Sequence, residues 1–225
     1  SRFEEMDERK SKDMGKRLII YGSSGHGRVI WDLAQKQNRF QEICFLDDDP
    51  KAGGYAGSPV IGDGSYSAFQ PGDEMVVAVG NGSIRARIQE IFGQKGVKMA
   101  VLVHPDSTIG AHVTLGDGTV VMAGVVINSG AVIKEGCIIN TASSVDHDCV
   151  LEPFCHVAVG AHLAGGVRAG AFTWIGAGAV VSNHVTLCAN CMVGAGTVVV
   201  RDLTEPGTYV GVPARRIGGV KTVSF

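Results

Sequence analysis

A histidine stands between two aspartates at Asp146–His147–Asp148, in a stretch reading Ile139–Asn140–Thr141–Ala142–Ser143–Ser144–Val145–Asp146–His147–Asp148–Cys149. Histidine titrates near neutral pH, so it can take a proton from a nucleophile and give it back. A flanking carboxylate can fix the tautomer of the ring and stabilise the imidazolium that forms. The arrangement suits general-base catalysis; a surface histidine without a role is the plainer reading of the same residues. His156 lies nine residues on, at a position of the repeat described below that usually faces solvent. It reads as a contact to a second ligand, or as an exposed or intersubunit histidine. His104, His112, His162 and His184 carry no functional expectation.

A second candidate is GSSGHG, at Gly22–Gly27, between an apolar run and a helical pattern. Glycines let the backbone approach a ligand closely, and amides at a helix N-terminus bind anionic oxygens. The spacing is GxxGxG, not the dinucleotide GxGxxG. Asp47 follows Gly27 by 20 residues, a distance suited to a ribose or sugar hydroxyl. A nucleotide-sugar diphosphate therefore fits better than NAD, and a plain tight turn is the alternative.

The elements that must position these residues come from two patterns. RLIIYG, ICFLDDD, MVVAVGN and VKMAVLVHP read as strands; VIWDLAQKQ and IRARIQEIFGQKG read as helices. Their alternation predicts a small parallel, Rossmann-like α/β domain over residues 16–102. Its unusual polar residues, Ser23, Ser24, His26, Asp47, Asp48, Gly80 and Asn81, fall at strand carboxyl ends, where such sheets bind ligands. From Ile109 to Val199 every sixth residue is aliphatic, and the fourth residue after each but the last is small or β-branched. A period of six fits neither a helix nor an ordinary strand. It fits a three-sided coil of 18 residues, the hexapeptide repeat of a left-handed parallel β-helix, over residues 103–203. Residues 204–225, rich in Gly and Pro at their start, read as a tail folded back over the last coils.

The repeat also explains the cysteines. Cys137, Cys149, Cys155 and Cys191 occupy the small inner-corner position, so burial accounts for them without disulfides or metal. Cys188 and Cys191 form a lone CxxC with no second pair. His147 and His156 are half a coil apart, so one chain would not bring both onto one ion; facing subunits could, as in β-helix carbonic anhydrases. No metal is expected.

The 225 residues carry a net charge of −2, are 45% hydrophobic and include 32 glycines, about twice the usual share. That charge gives no case for nucleic acid or an anionic membrane. No apolar run approaches a membrane span and no signal peptide opens the chain, so the cytoplasm is expected. Residues 1–15 are charged and almost without apolar side chains, and read as tail, linker or junction with a fused upstream enzyme.

The pieces IYGSSGHGRV, FLDDD, VAVGNGSIR, LVHPDS, IINTASS, VDHDC, FCHVAVGAHLAGG and YVGVPARRI, in this order, resemble the bacterial sugar N-acetyltransferases that act on nucleotide-linked 4-amino-4,6-dideoxy sugars. UDP-N-acetylbacillosamine biosynthesis typifies them, and sialic acid O-acetyltransferases share the build. The resemblance covers residues 16–217. It implies His147 as catalytic base and Asp148 as the acid raising its basicity. It places Asn140 and Asp146 in the acceptor site, and the nucleotide-sugar loop at Ser24, Gly25 and His26, with Asp47, Asp48 and Gly80. Coenzyme A contacts fall on His156, Gly165, Ala177 and Ala195. Asp148 stands where some relatives have Glu, one methylene longer.

The resemblance further implies a homotrimer with acetyl-CoA between subunits, serving bacterial glycan or glycoprotein biosynthesis. Acetyl passes directly to the 4-amine of a nucleotide-linked sugar, with UDP the expected nucleotide. The alternatives are O-acetylation of a sugar such as a sialic acid, and a non-catalytic nucleotide-sugar-binding protein.

Overall fold

A computed structural model describes residues 17–218. Residues 1–15, expected to be a tail or linker, lie outside the described residues, as do residues 219–225 of the C-terminal tail. Strands β1 (Arg17–Tyr21), β2 (Glu42–Leu46), β3 (Val60–Gly62), β4 (Glu74–Val77) and β5 (Lys98–Met99) form a parallel sheet in the order β3-β2-β1-β4-β5. Helix α1 (Gly25–Gln37) follows β1, and α2 (Gly82–Gln94) follows β4. Strands buried on both faces read as continuous apolar runs, and Leu18, Ile19 and Ile20 of β1 are all fully buried. The strand order reverses between β1 and β4, which opens a crevice at their carboxyl ends. The loop Gly22–Gly27 and the turn Ala78–Asn81 sit there.

Two details differ from the sequence reading. β3 lies outside the strands that the sequence pattern marks: it is three residues long, half-buried and at the sheet edge, too short to show a period. The run VKMAVLVHP is not one strand. Its first part, β5, pairs with β4, whereas Leu102–Val103 (β6) pairs with Val120–Val121 of the solenoid. Ala100 donates its N–H to Met75 O, and Leu102, two residues on, donates to Thr119 O. The chain therefore steps from one sheet to the other across Val101.

Beyond β6 the chain is a parallel β-solenoid with three sheets. The first contains β6, the second starts at Thr108–Ile109 and the third at Thr114–Leu115. Strands stack in register 18 residues apart, as in Val126↔Ser144↔His162↔Val180↔Val198. Ile127, Ile133, Ile139, Val145, Leu151 and Val157 point inward and are buried. Ile109 keeps the register but is 38% exposed, because no earlier coil covers that end of the stack. Cys137, Cys149, Cys155 and Cys191 are buried and free. Each corner holds a residue of positive φ, every sixth position from His112 to Gly196. Glycine fills most of these, since other L-residues pay a steric cost there; Asp148, at φ +57°, is one exception.

The tail adds Gly207–Val210 parallel to Cys191–Val193, and Arg215–Gly218 antiparallel to that strand, extending the first sheet. The α/β unit docks on this first sheet and on its corner with the third. One apolar core runs from Leu18 and Ile30 through Ala100 and Leu102 into the solenoid. Among the described residues no helix is long and apolar enough to cross a membrane.

Candidate active site

His147 follows the second-sheet strand Ser144–Val145, on the corner leading to the third sheet. Its Nδ1 is 2.9 Å from Asp148 Oδ2. Its backbone N–H donates to Asp146 Oδ1 at 2.7 Å, and Asn128 Nδ2, one coil earlier, donates to the same oxygen at 2.7 Å. An aspartate takes the left-handed turn position more easily than most residues, so the corner can place a carboxylate next to the ring. The Asp148 hydrogen bond, and then the Asp146 charge, raise the His147 pKa above its ordinary value. The Asn128 bond and the His147 amide hold the Asp146 carboxyl below its own. With Nδ1 bonded to Asp148, Nε2 is the ring nitrogen left without that bond, and the residue is exposed.

Ser24 caps α1 without a side-chain hydrogen bond, so the amides of the first turn have no side-chain cap. A β-carbon on Gly25 would meet nothing within 4 Å, so its backbone is open to a ligand. Gly27 is required by packing: a β-carbon there would lie 2.0 Å from Gly22 O. Asp47 accepts the Ser23 N–H and hydroxyl, both at 2.8 Å, and the Asp49 N–H at 3.0 Å. Burial pushes its pKa up, but these hydrogen bonds outweigh it and hold the carboxyl low. Asp48 binds the Tyr21 hydroxyl at 2.6 Å and the Gly64 N–H at 2.9 Å. Asp47 therefore braces the loop at Ser23, and Asp48 ties the end of β1 to the turn after β3. Asn81 caps α2 by accepting the Ile84 N–H at 3.1 Å.

His156 overturns the expectation of a solvent-facing position. It is 6% exposed, covered by the α/β unit that docks over its strand. Its ring lies 4.2 Å from Trp174 and 6.5 Å from His26, and its Nε2 is 3.2 Å from Asn140 Nδ2. Asn140 Oδ1 in turn accepts the Thr141 N–H at 2.8 Å. Burial, and then the Arg85 charge, lower the pKa of His26 to about 4 and that of His156 to about 3. Both are neutral at pH 7. His26 Nε2 and His156 Nδ1 are enclosed without a hydrogen-bond partner.

The structure thus gathers Ser24, Gly25, His26, Gly80, Asn140 and His156 around the first sheet. It does not bring His147 to them. In a three-sided solenoid the corner between the second and third sheets lies opposite the first sheet. Gly165 sits directly beyond His147, one coil on. Ala177 and Ala195 are exposed and stack on a different corner, between the first and second sheets; Gly196 N–H donates to Ala177 O at 2.8 Å.

Sequence reasoning missed Arg85, Trp174 and Asn128. Arg85 had a visible signal, since Arg85, Ile88 and Phe92 recur on one helical face and all three are buried. Among the described residues no group of three or more His, Cys, Asp or Glu could hold a metal ion.

Residues 17–92 match the family model described as the PglD N-terminal domain. A curated relative, UDP-N-acetylbacillosamine N-acetyltransferase of Bacillus subtilis (strain 168), is 33% identical over 113 residues, 48% of this chain and 52% of the relative. That match spans about half the length of the relative. The acetyltransferase domain of PglB from Neisseria gonorrhoeae FA1090, in complex with acetyl coenzyme A, is 40% identical with a TM-score of 0.87, over 90% of this chain and 100% of that one. PerB from Caulobacter crescentus, in complex with CoA and GDP-perosamine, is 35% identical with a TM-score of 0.82, over 89% and 97%.

Proposed function

We propose that this chain, which belongs to the nucleotide-sugar N-acetyltransferases, transfers acetyl from acetyl-CoA to the 4-amino group of a nucleotide-linked amino-dideoxy sugar. One observation carries the reading furthest: an exposed imidazole held at Nδ1 by Asp148, with Nε2 over the backbone of Gly165. UDP is the nucleotide of first choice, after the name of the Bacillus subtilis relative; GDP, the nucleotide of the PerB ligand, is its competitor.

The amine attacks the thioester carbonyl of acetyl-CoA, and the new C–N bond forms as the C=O becomes an oxyanion. His147 Nε2 takes the proton lost by the nitrogen. Collapse of the intermediate breaks the C–S bond, and the imidazolium returns the proton to the departing sulfur. Asp148 keeps Nδ1 protonated, so that Nε2 is the basic nitrogen, and stabilises the imidazolium. Backbone amides near the thioester would bind the oxyanion.

A homotrimer completes the site in this reading. His147 stands on the edge opposite the face that carries its own nucleotide loop, so the loop facing it belongs to another copy. Acetyl-CoA would lie between copies, along the corner columns of Gly165 on one side and Ala177 and Ala195 on the other.

The test is acetyl-CoA turnover with a panel of UDP-, GDP- and dTDP-linked 4-amino sugars and with hydroxyl acceptors, read by a thiol-detecting dye. Turnover with a 4-amino sugar is expected. His147→Ala should lower kcat by about 10²–10⁴-fold with the melting temperature unchanged. An active His147→Ala protein would end the assignment, and turnover confined to hydroxyl acceptors would replace it with O-acetylation.

A further inference from the structure

The largest of the fully buried side chains is a cation. Arg85, on α2, is 1% exposed. Its guanidinium donates to five carbonyls: Nε to Gly136 O at 2.6 Å, Nη1 to Val79 O at 2.8 Å and Gly80 O at 2.9 Å, and Nη2 to Phe154 O at 2.9 Å and Cys155 O at 3.4 Å. Among the described ion pairs none involves Arg85. Burial lowers its pKa to about 10, so it stays charged at neutral pH.

A charge buried without a counter-ion is costly, and an apolar side chain would fill the space with less loss of hydration. What the apolar side chain lacks is direction. The planar fork of arginine fixes the angle of each partner. Here the partners are three separate pieces of backbone. Val79 and Gly80 lie in the turn that follows β4, beside the nucleotide loop. Gly136 and Phe154 are corner residues of two successive coils, 18 apart. Cys155 leads directly into His156. Around this point the packing is tight: a β-carbon on Gly82 would lie 2.9 Å from Phe154 O.

We propose that Arg85 is a positioning residue, whose guanidinium locks the β4 end of the nucleotide-sugar crevice onto two solenoid coils and so sets where the sugar end of a bound substrate falls relative to the catalytic histidine. This rests on the function proposed above. The side chain touches no reacting atom. It acts because the nucleotide is held by one unit and the acetyl group by the other, so a small tilt between them moves the amine out of reach. A misplacement of about 1 Å can cost about 10²-fold in rate.

The experiment compares wild type, Arg85→Lys and Gly82→Ala. Lysine keeps the charge and loses the fork; alanine at 82 wedges the same contact without touching the arginine. Each protein is measured for melting temperature, Kd for UDP or GDP alone (whichever the wild-type substrate carries), KM for acetyl-CoA, and kcat with the nucleotide-linked acceptor. Wild-type turnover is read first, and its absence overturns the proposed function itself. With turnover present, the expected result is a kcat lower by about 10²-fold in both variants, with nucleotide Kd and acetyl-CoA KM kept. Unchanged kcat in both folded variants overturns the positioning role. So does a loss of nucleotide affinity in step with kcat, which marks a collapsed loop instead. Should Arg85→Lys not fold, Gly82→Ala decides alone by the same split.

Discussion

The imidazole of His147 lies over the backbone of Gly165, one coil further along the solenoid, where a β-carbon would stand 2.4 Å from Nε2 and 2.7 Å from Cε1. The absence of a side chain at 165 is what leaves room for the ring in this position. Gly165 is not among the residues of positive φ, so alanine meets no backbone strain there. Gly165→Ala should therefore turn the ring aside and lower kcat by about 10²-fold, while the melting temperature stays near that of wild type. A Gly165→Ala protein of wild-type rate would show that the ring orientation does not matter.

This pair was legible in the sequence, because 165 follows 147 by one 18-residue coil and the register never breaks. The same register accounted for the inner-corner cysteines. The surroundings of His156 were not legible. Its repeat position does face outward, but the α/β unit covers that face, and no period in the solenoid records where another unit docks. Arg85 was legible only in part. Its spacing with Ile88 and Phe92 marks the buried face of α2. The carbonyls that receive the cation, at Gly136 and Phe154, lie 51 and 69 residues on and leave no local pattern. The run VKMAVLVHP shows the limit of apolar patterning: it marks burial, and says nothing of which sheet each half joins.

In the mechanism proposed above His147 is the general base and must be neutral to act, so the acid limb of the kcat/KM profile should follow its pKa in the free enzyme. Asp148 raises that pKa, with a further rise from Asp146. The wild-type limb should then lie above the ordinary histidine value of about 6.5. Asp148→Asn tolerates the same left-handed turn, removes the charge and spoils the tautomer control. Its limb should move to lower pH and its plateau should fall by about 10-fold or more, within the range that general-base catalysis contributes. A limb that stays in place would mean that Asp148 does not set the basicity of the ring.

Stability should depend on pH through His26 and His156. Both are neutral in the folded chain, with pKa values lowered to about 4 and about 3 by burial and by the Arg85 charge. In the unfolded chain each returns to about 6.5. Below that pH the unfolded state binds more protons, so folding stability is full above about 6.5 and is lost as pH falls towards 4 and 3. The melting temperature should drop between pH 7 and pH 4. His156→Phe, which cannot take a proton but can still pack on Trp174, should flatten that drop. An equal slope in wild type and His156→Phe would assign the acid loss to other groups.

Direct transfer and a covalent cysteine route predict opposite responses to alkylation. The thiolate is the nucleophile, and burial pushes the Cys44 thiol up to about 11 and raises that of Cys149 as well. A hydrogen bond with Cys137, together with burial, raises Cys155; burial and Cys188 raise Cys191. Cys188 is half-buried, with its sulfur 3.5 Å from that of Cys191. It stands between the third and first sheets, on a different corner from His147. Iodoacetamide at pH 7 should therefore label Cys188 first, seen as a single carbamidomethyl mass increment, and leave acetyl transfer at its original rate. If activity falls in proportion to that first label, a cysteine near the acetyl group takes part, and the one-step transfer through His147 has to be abandoned.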